Sequence, residues 1–365
     1  MKCGRVIMKG PEHPHKTHLR GTRMSLGKKA LFALLSLALI LVLVEIGLWA
    51  AGVQTLTNRE DPTGGFSGLV SVFRRDGDVY RTRQFEKPTF NDESFLVRKS
   101  PNGLRLFCLG GSSAFGFPWD GRVAFPAILE QVLARAHPNR HVEAVNVAGI
   151  SYAMHRLRIV ANEIVNYEPD IVVIYSGHNE FIEPAYFNKL KRRSPQRNRL
   201  THLAAHWRLY SLAHSWRRQS DEPSTLAKRL DMFVERDEAV VYTEQQKSEI
   251  VAQFRQNLRR LIQMVQARGV TVVVATVPCN LRQWQPQKSM PGATLNHDQR
   301  LAWASNLTSA QQKLKTGQAA EAVTALRRAL AVTPYHAHAH YMLAKAYESL
   351  HMWDDARQSY QRACD

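Results

Sequence analysis

The sequence predicts an α/β fold: a three-layer parallel sheet flanked by helices, followed by an α-helical repeat segment and preceded by one membrane-spanning helix. Three observations carry this. Short apolar runs, LRLFCL at 104–109, IVVIY at 171–175 and VTVVVATV at 270–277, alternate with amphipathic helical stretches, as buried parallel strands and their crossover helices do. Residues beyond 303 match themselves at a spacing of thirty-four. From Ala30 to Val53 the chain is almost continuously apolar.

Composition sets the outer limits. Three hundred and sixty-five residues, 44% apolar and 22% charged, suffice for two folded domains and exclude a disordered or fibrous chain. The net charge of +18 is concentrated in two runs. Residues 1–29 hold eight Lys/Arg against Glu12 alone, and residues 189–218 hold nine with no acid, which gives +7 and +9. The rest is near neutral, so no nucleic-acid partner is expected. Cys3, Cys108, Cys279 and Cys364 have neither metal-ligand nor CxxC spacing, which points away from a zinc site and a disulfide scaffold. No cofactor or metal is expected.

The segment ALFALLSLALILVLVEIGLWAAGV, residues 30–53, has Glu45 as its one ionisable group and is long enough to cross a hydrocarbon core. A core helix of a soluble domain would carry a polar residue every third or fourth position, whereas Ala30 to Val44 contains Ser36 alone. The nearby Lys/Arg, up to Lys28 and Lys29, all precede it. Residues 1–29 are therefore expected to be a basic cytoplasmic tail, with everything after about residue 53 periplasmic or extracellular. Leu48 or Trp49 at the −3 position of the available cleavage sites disfavours a signal peptide, so an uncleaved single-pass anchor is expected. A start at Met8 or Met24 would shorten the tail and leave this orientation unchanged.

Residues 54–100 are rich in turn formers, with Pro62-Thr63-Gly64-Gly65 and Asn91-Asp92, and read as a linker wrapping the next domain. That domain is placed at 101–290. Its strands are expected at 104–109, 142–147, 171–175 and 270–277, and its helices at 123–136, 153–167 and 244–268. A basic helical insertion at about 182–243 contains LKRRSPQRNRL and then Trp207, Tyr210 and Trp216. It reads as a solvated helical face, or as a surface for lipid headgroups or an acidic polymer. Within 303–365, Ala310, Gly317, Ala322, Leu326 and Ala329 recur as Ala344, His351, Ala356, Tyr360 and Ala363. The segment resembles two tetratricopeptide repeats, the second incomplete at Asp365. The resemblance implies a protein partner for the repeats, and the stop inside a helical turn is read as a sign that the native chain continues.

Ligands of such sheets bind beyond the carboxyl ends of the strands. After the first strand, Gly110-Gly111-Ser112-Ser113 lacks phosphate-loop and dinucleotide spacing but lifts a serine clear of the sheet among residues without bulk. After the second, Asn146-Val147-Ala148-Gly149 offers an unobstructed backbone N–H. After the third, Ser176-Gly177-His178-Asn179-Glu180 offers an amide that can donate to a developing oxyanion. His336, His338 and His340 alternate so that two share a helical face, and they read as helix-face histidines in preference to a metal site.

Taken in order, these blocks resemble the SGNH/GDSL hydrolases, which carry a Gly-Asp-Ser block, a glycine, a Gly-x-Asn-Asp block and a final Asp-x-x-His. Gly111 stands here for the first aspartate and Glu180 for the second. The resemblance covers residues 104–180 and extends to 277 by strand pattern. It implies a flavodoxin-like three-layer fold with Ser112 as nucleophile and an oxyanion hole formed by the Ser112 N–H, the Gly149 N–H and the Asn179 side chain. No Asp in the chain is followed three residues later by His. Glu12-x-x-His15 falls on the cytoplasmic side and Glu348-x-x-His351 on a repeat helix, and in the family the position of His178 is variable. The catalytic His and Asp are thus not found in this chain and are expected beyond the repeats.

The resemblance implies a membrane-anchored extracytoplasmic serine hydrolase that cleaves an ester substrate through an acyl-serine intermediate. A sugar hydroxyl as acceptor would make the same site an O-acetyltransferase of a surface glycan. The missing base favours a different class, a catalytically silent membrane-tethered scaffold binding a protein partner through its repeats.

Overall fold

The computed structural model describes residues 25–86, 89–218, 242–286, 289, 291 and 295–364; most of the basic tail, 1–24, and residues 219–241 of the insertion lie outside them. Residues 1–54 and 55–365 form two units. The first contains α1, Leu26–Ala50, which is long and apolar enough to cross a membrane. The helix begins at Leu26 and not at Ala30 because Ser25 caps it, its hydroxyl accepting the Lys28 N–H at 3.5 Å. It ends at Ala50 and not at Val53: Gly52, at φ +75°, takes the left-handed conformation that closes a helix. Most of its leucines are exposed, and none of its residues is buried.

Residues 54–100 hold more regular structure than a turn-rich composition suggests. After α2, Leu56–Arg59, a three-stranded antiparallel sheet runs β1 (Phe73–Asp76), β2 (Val79–Thr82) and β3 (Ser94–Leu96). Gly77 at φ +62° permits the two-residue turn that pairs Asp76 with Val79, as hairpin turns of this length require. The Glu163 carboxylate accepts the Val72 and Phe73 N–H groups at 2.8 and 3.0 Å, and Val72, Phe73 and Phe95 sink into the main core.

The main sheet is parallel, in the order β5-β4-β6-β7, from β4 (Leu104–Gly110), β5 (Val142–Asn146), β6 (Ile171–Tyr175) and β7 (Thr271–Val274). Every residue of β4 is buried, and the pleat sends them to opposite layers. Phe107 and Leu109 join Val145, Val172 and Ile174 under α5 (Met154–Ile164) and α9 (Glu244–Gln266), meeting Leu157, Ile164, Leu261 and Val265. Leu106 and Cys108 join Val142, Ala144 and Val173 under α4 (Phe125–Ala136), meeting Phe125, Leu129 and Leu133. Each such aliphatic, fully withdrawn from water, contributes about 1.5–3 kcal/mol. β7 is a short edge strand, half the length of its apolar run, with three of its four residues exposed.

Between β6 and α9 stand α6 (Asn179–Lys191), α7 (Pro195–Ala204) and α8 (Arg208–Arg218). The chain closes with α10 (His297–Lys315), α11 (Ala319–Val332), α12 (Ala337–Ser349) and α13 (Trp353–Arg362). Ala310, Ala322, Leu326, Ala339, Ala346 and Ala356 form their core. Gly317 and His351, equivalent in the repeat spacing, both take positive φ, +76° and +58°, at the same helix-to-helix turn. The turns share a bond as well: Gln318 N–H reaches Lys313 O at 2.8 Å, and Met352 N–H reaches Tyr347 O at 2.9 Å.

Candidate functional site

The first strand of the parallel sheet, β4, is interior, and the chain passes to one side for β5 and to the other for β6. The carboxyl ends of β4 and β6 therefore bound the crevice where doubly wound sheets take ligands. Ser112 follows β4 and Asn179 follows β6.

The backbone there admits no bulk. A Cβ on Gly110 would fall 2.5 Å from Tyr175 O and from the Ala114 Cβ, and one on Gly111 would fall 2.3 Å from Asn179 Nδ2. A side chain at Gly111 would collide with the Asn179 amide, so this position is closed to bulk. Ser112, half-buried, opens the single-turn helix α3, Ser112–Phe115, at a position whose N–H has no intrahelical acceptor. Two amides hold the far end of this turn: Asn146 Nδ2 donates to Ala114 O at 3.0 Å and Asn91 Nδ2 to Phe115 O at 2.8 Å.

Asn179 is 8% exposed. Its Nδ2 donates one hydrogen to Tyr152 O at 2.9 Å, and a primary amide carries a second. The first turn of α6 is bolted to the start of α5 by two buried carboxylates. Glu180 accepts the Met154 N–H at 2.6 Å, and Glu183 accepts the Ala153 N–H at 3.2 Å and Arg156 Nε at 2.7 Å. Burial pushes the Glu180 carboxyl up to about 7, against the opposing pull of the Met154 N–H. Arg156 is itself buried, lies over the rings of Tyr152, Phe187 and Phe66 at 4.2, 4.6 and 4.7 Å, and donates to Ser151 O and Gly64 O. Sequence reasoning saw Glu180 as a replaced aspartate and missed Arg156, Tyr152 and Glu183; the one available signal was the Glu180/Glu183 spacing on one helical face.

Gly149 has a different place from the one expected of it. Its N–H donates to Gly110 O at 3.0 Å, so this donor joins the loops after β4 and β5 and is not free for an oxyanion. The residue is glycine because a Cβ would meet the Tyr152 ring at 2.6 Å. Asn179 thus reaches Gly111, the residue before Ser112, and Gly149 is tied to Gly110.

The histidines that the sequence motifs single out lie, where described, away from Ser112 or exposed. His178, at the N-cap of α6, is exposed and makes no side-chain cap bond. Glu348 of Glu348-x-x-His351 pairs with Arg282 at 2.5 Å and Lys345 at 3.1 Å, and Glu12-x-x-His15 lies outside the described residues. His336 is not on the helix face but at the N-cap of α12, its Nδ1 accepting the Ala339 N–H at 3.1 Å, while His340 Nε2 bonds Pro334 O at 2.7 Å. Among the described residues no group of three or more His, Cys, Asp or Glu could hold a metal ion.

A tetratricopeptide-repeat family model matches residues 313–363. No curated protein matches the sequence. Among solved structures the chain bears a slight likeness to the crystal structure of AlinE4, an SGNH-hydrolase family esterase, at 15% identity and a TM-score of 0.20, covering 44% of this chain and 98% of that one. Two variants of the same esterase match over the same shares at 12% identity, again with a TM-score of 0.20.

Proposed function

We propose that this protein is a membrane-anchored serine hydrolase acting on esters outside the cytoplasm, with Ser112 as nucleophile. The observation that carries the reading is the contact of Asn179 Nδ2 with Gly111 beside Ser112, at the switch point of the sheet. The Ser112 oxygen attacks the ester carbonyl carbon, and the carbonyl electron pair moves onto its oxygen. The Ser112 N–H and the second Asn179 hydrogen receive that oxyanion. Collapse expels the alkoxide, which takes the proton that Ser112 loses and leaves as the alcohol, and water then releases the acyl group as the acid and returns a proton to Ser112; a sugar hydroxyl in place of water would give acyl transfer. Gly149 enters the oxyanion hole only by releasing Gly110 O.

In this reading α1 is the anchor, with the basic residues before it on the cytoplasmic side. The exposed Leu200 and Leu203 of α7, Trp207 of the connection and Trp216 of α8, with the exposed Arg192, Arg197 and Arg199 of the same stretch, suit an anionic lipid surface.

A second reading, a silent sheet domain that presents the repeats to a protein partner, is favoured by the match at 313–363 and by the lack of an Asp-x-x-His to take the serine proton. Hydrolysis of short aryl esters separates the two. The hydrolase reading expects turnover that is abolished in Ser112→Ala and lowered about 10²–10³-fold in Asn179→Ala, with fluorophosphonate labelling of Ser112. Turnover unchanged in Ser112→Ala sinks it, and no turnover or labelling moves the scaffold ahead.

A further inference from the structure

The chain leaving β7 does not return directly to solvent. Ala275 N–H extends the strand by one bond to Ile174 O at 2.9 Å, and Val277 Cγ2 lies 3.6 Å from where a Cβ on Gly177 would sit, at the carboxyl edge that bears Asn179. From there the loop is held along the second repeat. Arg282 Nε pairs with Glu348 at 2.5 Å, Tyr341 Oη donates to Arg282 O at 3.0 Å, and His338 N–H donates to Ser289 Oγ at 2.9 Å. At the near end of this strap stands Cys279, its sulfur 3.6 Å from that of Cys364, in the turn that closes α13. Both cysteines are exposed, and 85 residues separate them.

We infer that Cys279 and Cys364 are a redox-sensitive pair whose disulfide locks the loop at the edge of the candidate site to the last repeat helix. Their spacing in sequence announces nothing; the fold brings them together. A disulfide needs its sulfurs about 2.05 Å apart, so pairing requires the two side chains to close in from 3.6 Å. The oxidant is a disulfide, either a small one such as oxidised glutathione or that of a thiol oxidoreductase. One cysteine thiolate attacks it, forming a mixed disulfide and expelling the first thiol of the donor. The second cysteine thiolate then attacks the sulfur of its partner and expels the other donor thiol. Two electrons pass to the donor, and the two protons of the cysteines end on its thiols or in water.

Cys108 does not compete: it is fully buried in β4, and burial pushes its thiol up to about 12, which suppresses the reactive thiolate. Among the described residues, the bonds from the strap to the second repeat include an ion pair whose arginine is 66% exposed, and exposed pairs of this kind hold weakly. The lock is therefore expected where the compartment is oxidising. The inference does not depend on ester hydrolysis, and its test leaves Ser112 untouched.

The test takes the full chain in detergent through glutathione buffers from reduced to oxidised, followed by alkylation, peptide mapping and timed trypsin cleavage after Arg282. A Cys279–Cys364 linked peptide is expected in oxidised buffer, absent after dithiothreitol and absent from Cys279→Ser and Cys364→Ser. Cleavage after Arg282 is expected to slow about tenfold on oxidation of the native chain and not in either variant. Complete alkylation of both thiols in oxidised buffer, separate glutathione adducts, or pairing of Cys279 with another cysteine would each overturn the pair. Equal cleavage rates in both buffers would overturn the lock.

Discussion

Glu180 stands next to Asn179 in the first turn of α6, and its environment is unusual for a carboxylate. It is 8% exposed, with Glu183 as a like-charged neighbour, and its pKa rises from 4.5 to about 7. In the unfolded chain it titrates near its ordinary value, so between about pH 4.5 and 7 the folded state binds more protons than the unfolded state. Stability from this group is therefore fully present below pH 4.5 and is lost as pH rises through 7. The size is about 3 kcal/mol if the whole shift is expressed. Glu180→Gln should remove that slope while retaining a side-chain acceptor for the Met154 N–H. Urea unfolding of both forms at pH 5 and pH 8 checks it; parallel changes in the two would show that Glu180 is ionised throughout. Glu93, also raised to about 7 by burial, adds a slope of the same sign to both forms, so the comparison between them isolates Glu180. Arg105 shows a buried charge handled differently. It has no exposed surface, yet its guanidinium donates to Glu143, Tyr167 O and Leu96 O, each at 2.7 Å, which is the condition under which a charge can be buried without severe penalty. It joins β4, β5, β3 and the α5–β6 connection in one group.

Among the elements, the repeat helices follow most directly from local sequence. Their small residues, Ala310, Ala322, Ala329, Ala344 and Ala356, are all at or near zero exposure, where close helix approach leaves no room for more. The thirty-four-residue spacing carries backbone conformation as well as packing, since Gly317 and His351 share the left-handed turn. Glycine adopts that conformation freely and histidine does so at a cost. Gly317→Ala is accordingly expected to destabilise the unit by about 1 kcal/mol and His351→Gly to be neutral or stabilising, both read from urea midpoints. Destabilisation by His351→Gly would mean that the imidazole contributes more by its contact with Trp353 at 5.6 Å than the turn costs. In the sheet, LRLFCL gave β4 its length and place. It did not disclose that Arg105 is as buried as its neighbours, because a charged residue in a strand reads as its exposed side until its partners are known.

At the scale of the whole molecule, the basic run is tied to the first residues of its own unit, 55–365. Leu56 donates its N–H to Ser211 Oγ at 2.8 Å, and Thr57 donates to Ala205 O at 3.4 Å, so α8 and the end of α7 are fastened to α2. A chain beginning at Thr55 should bind vesicles of anionic lipid at low salt. The fourfold substitution of Arg192, Arg193, Arg197 and Arg199 by Glu should weaken that binding at least about a hundredfold, at roughly 1 kcal/mol per basic residue near the surface. Flotation with both forms reads the difference, and equal retention would assign the basic run to solvent.

The sequence by itself determined what depends on neighbours along the chain: the apolar helix from its unbroken hydrophobicity, the parallel strands from their Val/Ile runs, the repeats from their period, and Ser112 and Asn179 as residues at strand ends. Tertiary structure decided everything that depends on partners remote in sequence. Strand order put the ends of β4 and β6 side by side, the Tyr152 ring and Gly110 carbonyl drew Gly149 away from the role its motif suggests, and residues 73–96 became a sheet because Glu163 and the core aromatics were there to receive it. Cys279 and Cys364, unremarkable at 85 residues apart, came within 3.6 Å. Local pattern fixes which faces are apolar and where the backbone can turn. Which donor meets which acceptor is settled only when packing removes water and each buried polar group must find a partner.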